Sequence, residues 1–140
     1  AAYLTCGGFS DFSPADGAAV LQIAERAIAP GGKVVVEYAD AGEATHADVR
    51  TWLYVQAERS LFLDGPHLQM EERLFDPDAN AATSRYYVVS SDGSLREFAR
   101  CTQFYTEAAV REMLKAAHLE PVGVSAGSAP GYKKIAARKA

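Results

Sequence analysis

Residues 21–38, LQIAERAIAPGGKVVVEY, decide how this chain folds. Val20, Ile23, Ala24, Ala27 and Ile28 recur at helical spacing and predict one apolar stripe. Pro30 stops the helix, and Gly31 and Gly32 supply positive φ at little steric cost, so the chain can reverse at once. Lys33 to Tyr38 then carries Val34, Val35 and Val36 without polar alternation. Such a run predicts a strand buried on both faces, as in a parallel sheet flanked by helices. Upstream, Ser13-Pro14-Ala15-Asp16 reads as the helix start: Ser13 caps, Pro14 suits the first position and Asp16 can close a capping box. Residues 2–6 are short, apolar and β-compatible, and run into the turn Gly7-Gly8. Strand, helix, strand at this length predicts a parallel pair with a right-handed crossover.

Downstream, residues 47–63 place Val49, Trp52, Leu53, Gln56, Ala57 and Ser60 on one face, which predicts an amphipathic helix ended by Gly65-Pro66. Met70–Phe75, Thr83–Ser90 and Leu95–Phe104 read as strands joined by the turns 76–80 and 91–93. Short turns make them antiparallel, and Glu71, Arg73, Arg85, Arg96 and Arg100 predict one wet face. Thr106 caps a further helix with Val110, Met113, Leu114 and Ala117 inward, ending near His118 to Pro121. Val122–Ser125 and Lys133–Arg138 close the chain as strands around a Gly/Ser/Pro-rich loop, 126–132. The expected architecture is a single α/β domain over residues 1–140, with an antiparallel excursion at about 66–104.

The composition narrows function. With 49% hydrophobic and 23% charged residues, the chain of 140 has enough apolar side chain for one ordinary core, which excludes a disordered class. Fourteen basic against 18 acidic residues give a net charge of −4, and an acidic domain lacks the basic face of a nucleic-acid or anionic-membrane binder. No apolar run approaches the roughly 18 residues of a membrane helix. No signal peptide is visible, and Cys6 and Cys101 in apolar surroundings are expected to be buried free thiols; both features lead to the expectation of a cytoplasmic protein. The chain opens in apolar sequence without methionine, as if cut from something longer. His46, His67 and His118 lack metal-ligand spacing and are expected at surfaces or helix ends, so no metal is expected. Neither a phosphate loop nor a nucleophile–base motif is present.

Three segments together resemble the class I S-adenosylmethionine-dependent methyltransferases. Residues 21–38 resemble that family's helix, Pro-Gly-Gly turn and fifth strand. Residues 92–105, DGSLREFARCTQFY, resemble the antiparallel excursion of its small-molecule and N-methyltransferase branch, and residues 105–124, YTEAAVREMLKAAHLEPVGV, resemble its late helix and sixth strand. The resemblance covers nearly the whole chain but only the family's carboxy-terminal half. It implies the C-terminal half of a Rossmann-like sheet, strands 4-5-7-6, with an antiparallel β insertion after strand 5. The family's glycine-rich turn after strand 1 and the acidic residue after strand 2 have no counterpart here. Strand 4, residues 2–6, would therefore be an apolar edge that seeks a complementary amino-terminal half or a second copy of the chain.

The resemblance also implies S-adenosylmethionine as cofactor and a small-molecule methyl acceptor. The loop after strand 4 falls where the family brings the two together, so Cys6, Gly7 and Phe9 are candidates for cofactor binding and Phe12 for the substrate side. Ordinary packing beneath the following helix is the alternative for both phenylalanines. Tyr38 and Asp40 at the end of strand 5 could face an amine, or be a strand-end cap and a solvated acid. Trp52 is either a pocket cover or the core anchor of its helix. Arg100 is either a clamp for a substrate carboxylate or part of a charged outer face. No catalytic residue is assigned. Two other functions compete: a non-catalytic accessory or dimerisation half-domain that completes a methyltransferase fold with another chain, and a small-ligand module of unrelated α+β fold.

Overall fold

Ser13 starts the first long helix as its sequence requires. The computed structural model describes residues 1–43 and 47–140, so His46 lies outside the described residues. Helix α1 spans Pro14–Ala27. Ser13 Oγ accepts the Asp16 N–H at 3.2 Å, and the Asp16 carboxylate accepts the Ser13 hydroxyl at 2.7 Å. Aspartate is too short for the full capping box, so it closes on the hydroxyl instead. The buried stripe is Gly17, Leu21, Ala24 and Ile28, whereas Ile23 is 57% exposed. The predicted stripe is thus rotated. Gly17 decides this: a Cβ there would stand 3.0 Å from the Phe9 ring, so only the glycine face can approach the core.

The chain divides into two compact units. The first comprises Ala1–Thr45 and Thr102–Ala140. In it β1, Ala2–Leu4, runs parallel to β2, Lys33–Asp40, with Ala2 opposite Val34 and Leu4 opposite Val36. On the other side of β2 lies β8, Tyr132–Lys139, antiparallel from Lys33–Arg138 to Ala39–Tyr132. The antiparallel strand β7, Leu119–Ala126, follows β8 with an irregularity between Pro121 and Gly123. The strands therefore lie in the order β1-β2-β8-β7. Beyond the end of β1, Phe104 and Tyr105 pair parallel with Ala39 and Asp40. Helix α2, Glu107–Ala116, is capped by Thr106 Oγ1, which accepts the Ala109 N–H at 3.1 Å.

One core holds this unit together. Leu21 and Ala24 of α1, its C-cap Ile28, and Val110, Leu114 and Ala117 of the α2 region cover Val34, Val36 and Tyr38 of β2 and Ile135 and Ala137 of β8. Both helices therefore lie on one face of the sheet. The other face carries the alternate residues, and there Tyr3 is 68% exposed beside half-buried Val35 and Ala136. Lys139 ties the last strand to the end of α1: its ammonium donates to the Glu25 and Ile28 carbonyls at 2.9 and 3.1 Å and pairs with the Glu25 carboxylate at 3.0 Å.

The second unit is His46–Cys101. Its strands are β3, Val49–Val55, β4, His67–Asp76, β5, Ala81–Ser90, and the first part of β6, Leu95–Tyr105, hydrogen-bonded in that order. The helix expected over 47–63 is not formed. VRTWLYV is rich in β-branched and aromatic residues, and it pairs from Val49–Arg73 to Val55–His67. The helical stripe depended on Gln56, Ala57 and Ser60, which bury too little to hold a helix together. The antiparallel region therefore begins with β3, well before residue 66. Phe62 covers one face of it, with ring centroids 4.9 Å from Tyr86 and 5.1 Å from Phe98. The opposite face carries Trp52, Met70 and Tyr87 in one row. Among the described residues no helix is long and apolar enough to cross a membrane.

Candidate functional site

The carboxyl ends of the parallel strands converge in the first unit, and the loops there are tied to one another. After β1 the chain makes a tight turn in which the Gly8 N–H donates to the Thr5 carbonyl at 3.1 Å. Cys6 and Gly7 both have positive φ, 58° and 69°, the pattern of a type I′ turn. A short 3-10 turn, Gly8–Asp11, follows. Ser10 Oγ accepts the Ala39 N–H at 2.8 Å, and the Tyr105 hydroxyl donates to the Phe12 carbonyl at 2.8 Å. The loop is thus fixed to the ends of β2 and β6.

The strongest link is Glu37. Its side chain is fully buried, and its carboxylate accepts the Gly7 N–H at 3.3 Å and the Ser128 N–H. Burial alone would push the carboxyl up. Hydrogen bonds from Ser128, Gly7 and Cys6 outweigh that and hold it below the usual carboxylate range. Ser128 lies in the turn between β7 and β8, so one carboxylate joins loops from opposite ends of the chain. Tyr132 fills the space between those loops. A Cβ on Gly7 would lie 2.5 Å from the Tyr132 ring, and one on Gly127 would lie 2.5 Å from Tyr132 Cβ and 2.6 Å from its carbonyl carbon. Beside the β7–β8 turn opens a cavity of about 530 Å³ lined by Glu43, Ser125, Gly127, Pro130, Tyr132 and Lys133, among others.

The expected residues fall in both units. In the first, Gly7 is buried and Cys6 exposed. Phe9 is buried against Tyr105 at a centroid distance of 5.2 Å. Phe12 is half-buried. Asp40 is 5% exposed, and its carboxylate pairs with the Lys133 ammonium at 2.7 Å. Hydrogen bonding to Asp40 holds the Lys133 ammonium above its ordinary range. Tyr38 is buried in the helix-covered core, and among the described residues its hydroxyl has no hydrogen-bond partner. Desolvation, then the charges of Asp40 and Glu107, push that phenol up to about 12. It stays protonated at neutral pH and is not a base.

Trp52 and Arg100 belong to the second unit, on strands at opposite edges of its meander. Trp52 is 74% exposed, which overturns its reading as a core anchor. Arg100 is exposed on β6. Cys6 and Cys101 are free thiols but exposed, not buried, because both sit at loop or sheet surfaces. His67 is buried rather than at a surface: its ring N–H donates to the Gly65 carbonyl at 2.8 Å and its other nitrogen lies 3.3 Å from Ser60 Oγ. That serine accepts the Phe62 and Leu63 N–H groups and stabilises a turn, so the pair is structural. His118, with φ 58°, ends α2 as expected. Sequence reading assigned no role to Glu37, Ser10, Ser128 or Tyr132. The signal for the first was present: an acid in the middle of VVVEYA must find donors or be expelled.

No family model and no curated protein sequence matches the chain. Solved structures do. The CcbJ methyltransferase from Streptomyces caelestis superposes with a TM-score of 0.69 and 21% identity over 99% of this chain and 59% of its own. An S-adenosylmethionine-dependent methyltransferase from Clostridium acetobutylicum gives 0.72 and 8% over 98% of this chain and 56% of that one. CalS10, an amino pentose methyltransferase from Micromonospora echinaspora solved with its cofactor, gives 0.66 and 16% over 99% and 57%. The chain thus spans little more than half the length of these neighbours. Across that span it carries the class I S-adenosylmethionine-dependent methyltransferase fold.

Proposed function

We propose that this chain is the carboxy-terminal half of an enzyme that transfers a methyl group from S-adenosylmethionine to a small-molecule acceptor, with an amine such as that of an amino sugar as the acceptor class. The observation that carries the reading is the junction of β1, its Cys6-Gly7 turn and the end of β2, inside a fold shared with three methyltransferases. Ligands of open α/β sheets bind at the carboxyl ends of the strands, where this junction lies. The order β1-β2-β8-β7, with β8 antiparallel, is what strands 4-5-7-6 of the family would give.

The residues present fit one flank of the cofactor. A Cβ built at Gly8 would meet nothing within 4 Å, so the outer side of the turn is open. Cys6 and Gly7 present the turn to a ligand, and Phe9 supports it from the core. When bound, S-adenosylmethionine supplies a methyl group made electrophilic by its sulfonium. The chain's own contribution is orientation and exclusion of water. Phe12 walls the substrate side, and Asp40, paired with Lys133, is the carboxylate that could accept a hydrogen bond from an amine acceptor. Tyr38 supports the end of β2 from beneath.

The groups that grip the methionine and ribose parts of the cofactor are to come from strands beyond this chain. Among the described residues β1 pairs with β2 alone, and its other edge, beside the exposed Tyr3, is where those strands would dock. The same edge favours a second reading, an accessory half-domain completed by another chain. Calorimetric titration of S-adenosylmethionine decides. Saturable binding by residues 1–140, alone or with a complementary half, is expected. An absence of heat in both settings overturns the proposal.

A further inference from the structure

We infer that Glu37 is a positioning residue: its buried carboxylate clamps the turn after β1 to the turn between β7 and β8 and so fixes the backbone that meets the cofactor. The inference rests on the cofactor reading above. Glu37 stands on the sheet face opposite α1 and α2, at the center of a strand whose neighbours are valine, tyrosine and alanine. Lys134 stands opposite it on β8, but among the described residues no lysine, arginine or histidine makes a salt bridge to its carboxylate. Its charge is held instead by hydrogen bonds from two loops, at Gly7 and at Ser128. A buried carboxylate deprived of its donors is strongly unfavourable, so neither loop can open without stranding the charge. Tyr132 makes the coupling steric as well, because its ring leaves no room for a side chain at Gly7 and its backbone leaves none at Gly127. Cys6, a non-glycine residue at φ 58°, persists in that conformation because the clamp holds it there.

The test is amide hydrogen exchange together with calorimetry on the full-length protein. Glu37→Gln keeps the shape but brings an NH2 against one of the two donors. Glu37→Asp keeps the charge but withdraws it by one methylene. Both are expected to speed exchange at Gly7 and Ser128 together by about ten-fold or more, the scale of one lost charge-assisted hydrogen bond. Exchange at Leu21 and Leu114 stays unchanged and reports that the core is intact. The dissociation constant for S-adenosylmethionine rises by a similar factor, while kcat at saturation stays within about two-fold. Gly127→Ala, which displaces the far turn without touching the carboxylate, is expected to speed exchange at Gly7 too, and it settles the matter if the Glu37 variants do not fold. Unchanged exchange at Gly7 in the folded variants overturns the clamp. Faster exchange with unchanged affinity overturns its role toward the cofactor. Failure of the wild-type protein to bind S-adenosylmethionine overturns the methyltransferase reading instead, and the exchange data then judge the clamp alone.

Discussion

Gly7 meets two constraints at once, a positive φ of 69° and the Tyr132 ring at 2.5 Å from any Cβ. Gly7→Ala is expected to cost about 1–3 kcal/mol in urea denaturation, the sum of left-handed strain and displacement of the ring. Glu37 gives a pH signature. Its folded pKa lies below the ordinary 4.5, so its contribution is complete above that value and is lost as the pH falls through the folded one. Stability should decline on acidification below about pH 5, and Glu37→Gln should flatten that part of the curve. Superimposable curves would show that the loop amides do not stabilise the charge. Tyr38 behaves oppositely. Among the described residues its buried hydroxyl has no partner, so Tyr38→Phe is expected to be neutral or to stabilise by up to about 1 kcal/mol in thermal unfolding.

Among the elements, α1 shows how local and distant signals combine. Ser13 starts it from within its own sequence, but its last carbonyls are satisfied by Lys139, more than a hundred residues away. Lys139→Met should destabilise by about 1 kcal/mol in chemical denaturation by removing this cap, whereas a loss near zero would mean that water replaces it. β3 makes the opposite case. Trp52 stands on an exposed strand, so Trp52→Ser should change stability by less than about 0.5 kcal/mol, against about 2–5 for Leu21→Ala in the core.

For the whole molecule the exposed β1 edge matters most. Residues 1–140 alone are expected to self-associate in sedimentation, and a segment that pairs with β1 is expected to suppress this. A strictly monomeric species would count against the edge as a docking strand.

The helix starts at Ser13 and Thr106, the Pro30-Gly31-Gly32 reversal and the parallel β1–β2 pair were legible because each rests on local chemistry: a cap, a fixed φ, an unbroken β-branched run. Residues 49–55 form a strand where a helix is expected because their β propensity and their pairing with β4 outweigh a sparse helical stripe, and β pairing is a long-range property that no window of sequence contains. The same holds for the site. A glycine turn could be singled out at Gly7-Gly8, one residue late because β1 ends at Leu4 and the turn centres on Cys6 and Gly7, but not the partners that hold it. Glu37, Ser10, Ser128 and Tyr132 acquire their roles only when β2, the turn after β1 and the β7–β8 turn are brought side by side. The sequence by itself determined where α1 and α2 begin and that β2 is buried. Only the tertiary structure decided which donors surround a buried carboxylate, because hydrogen-bond satisfaction inside a core is settled by residues ninety positions apart.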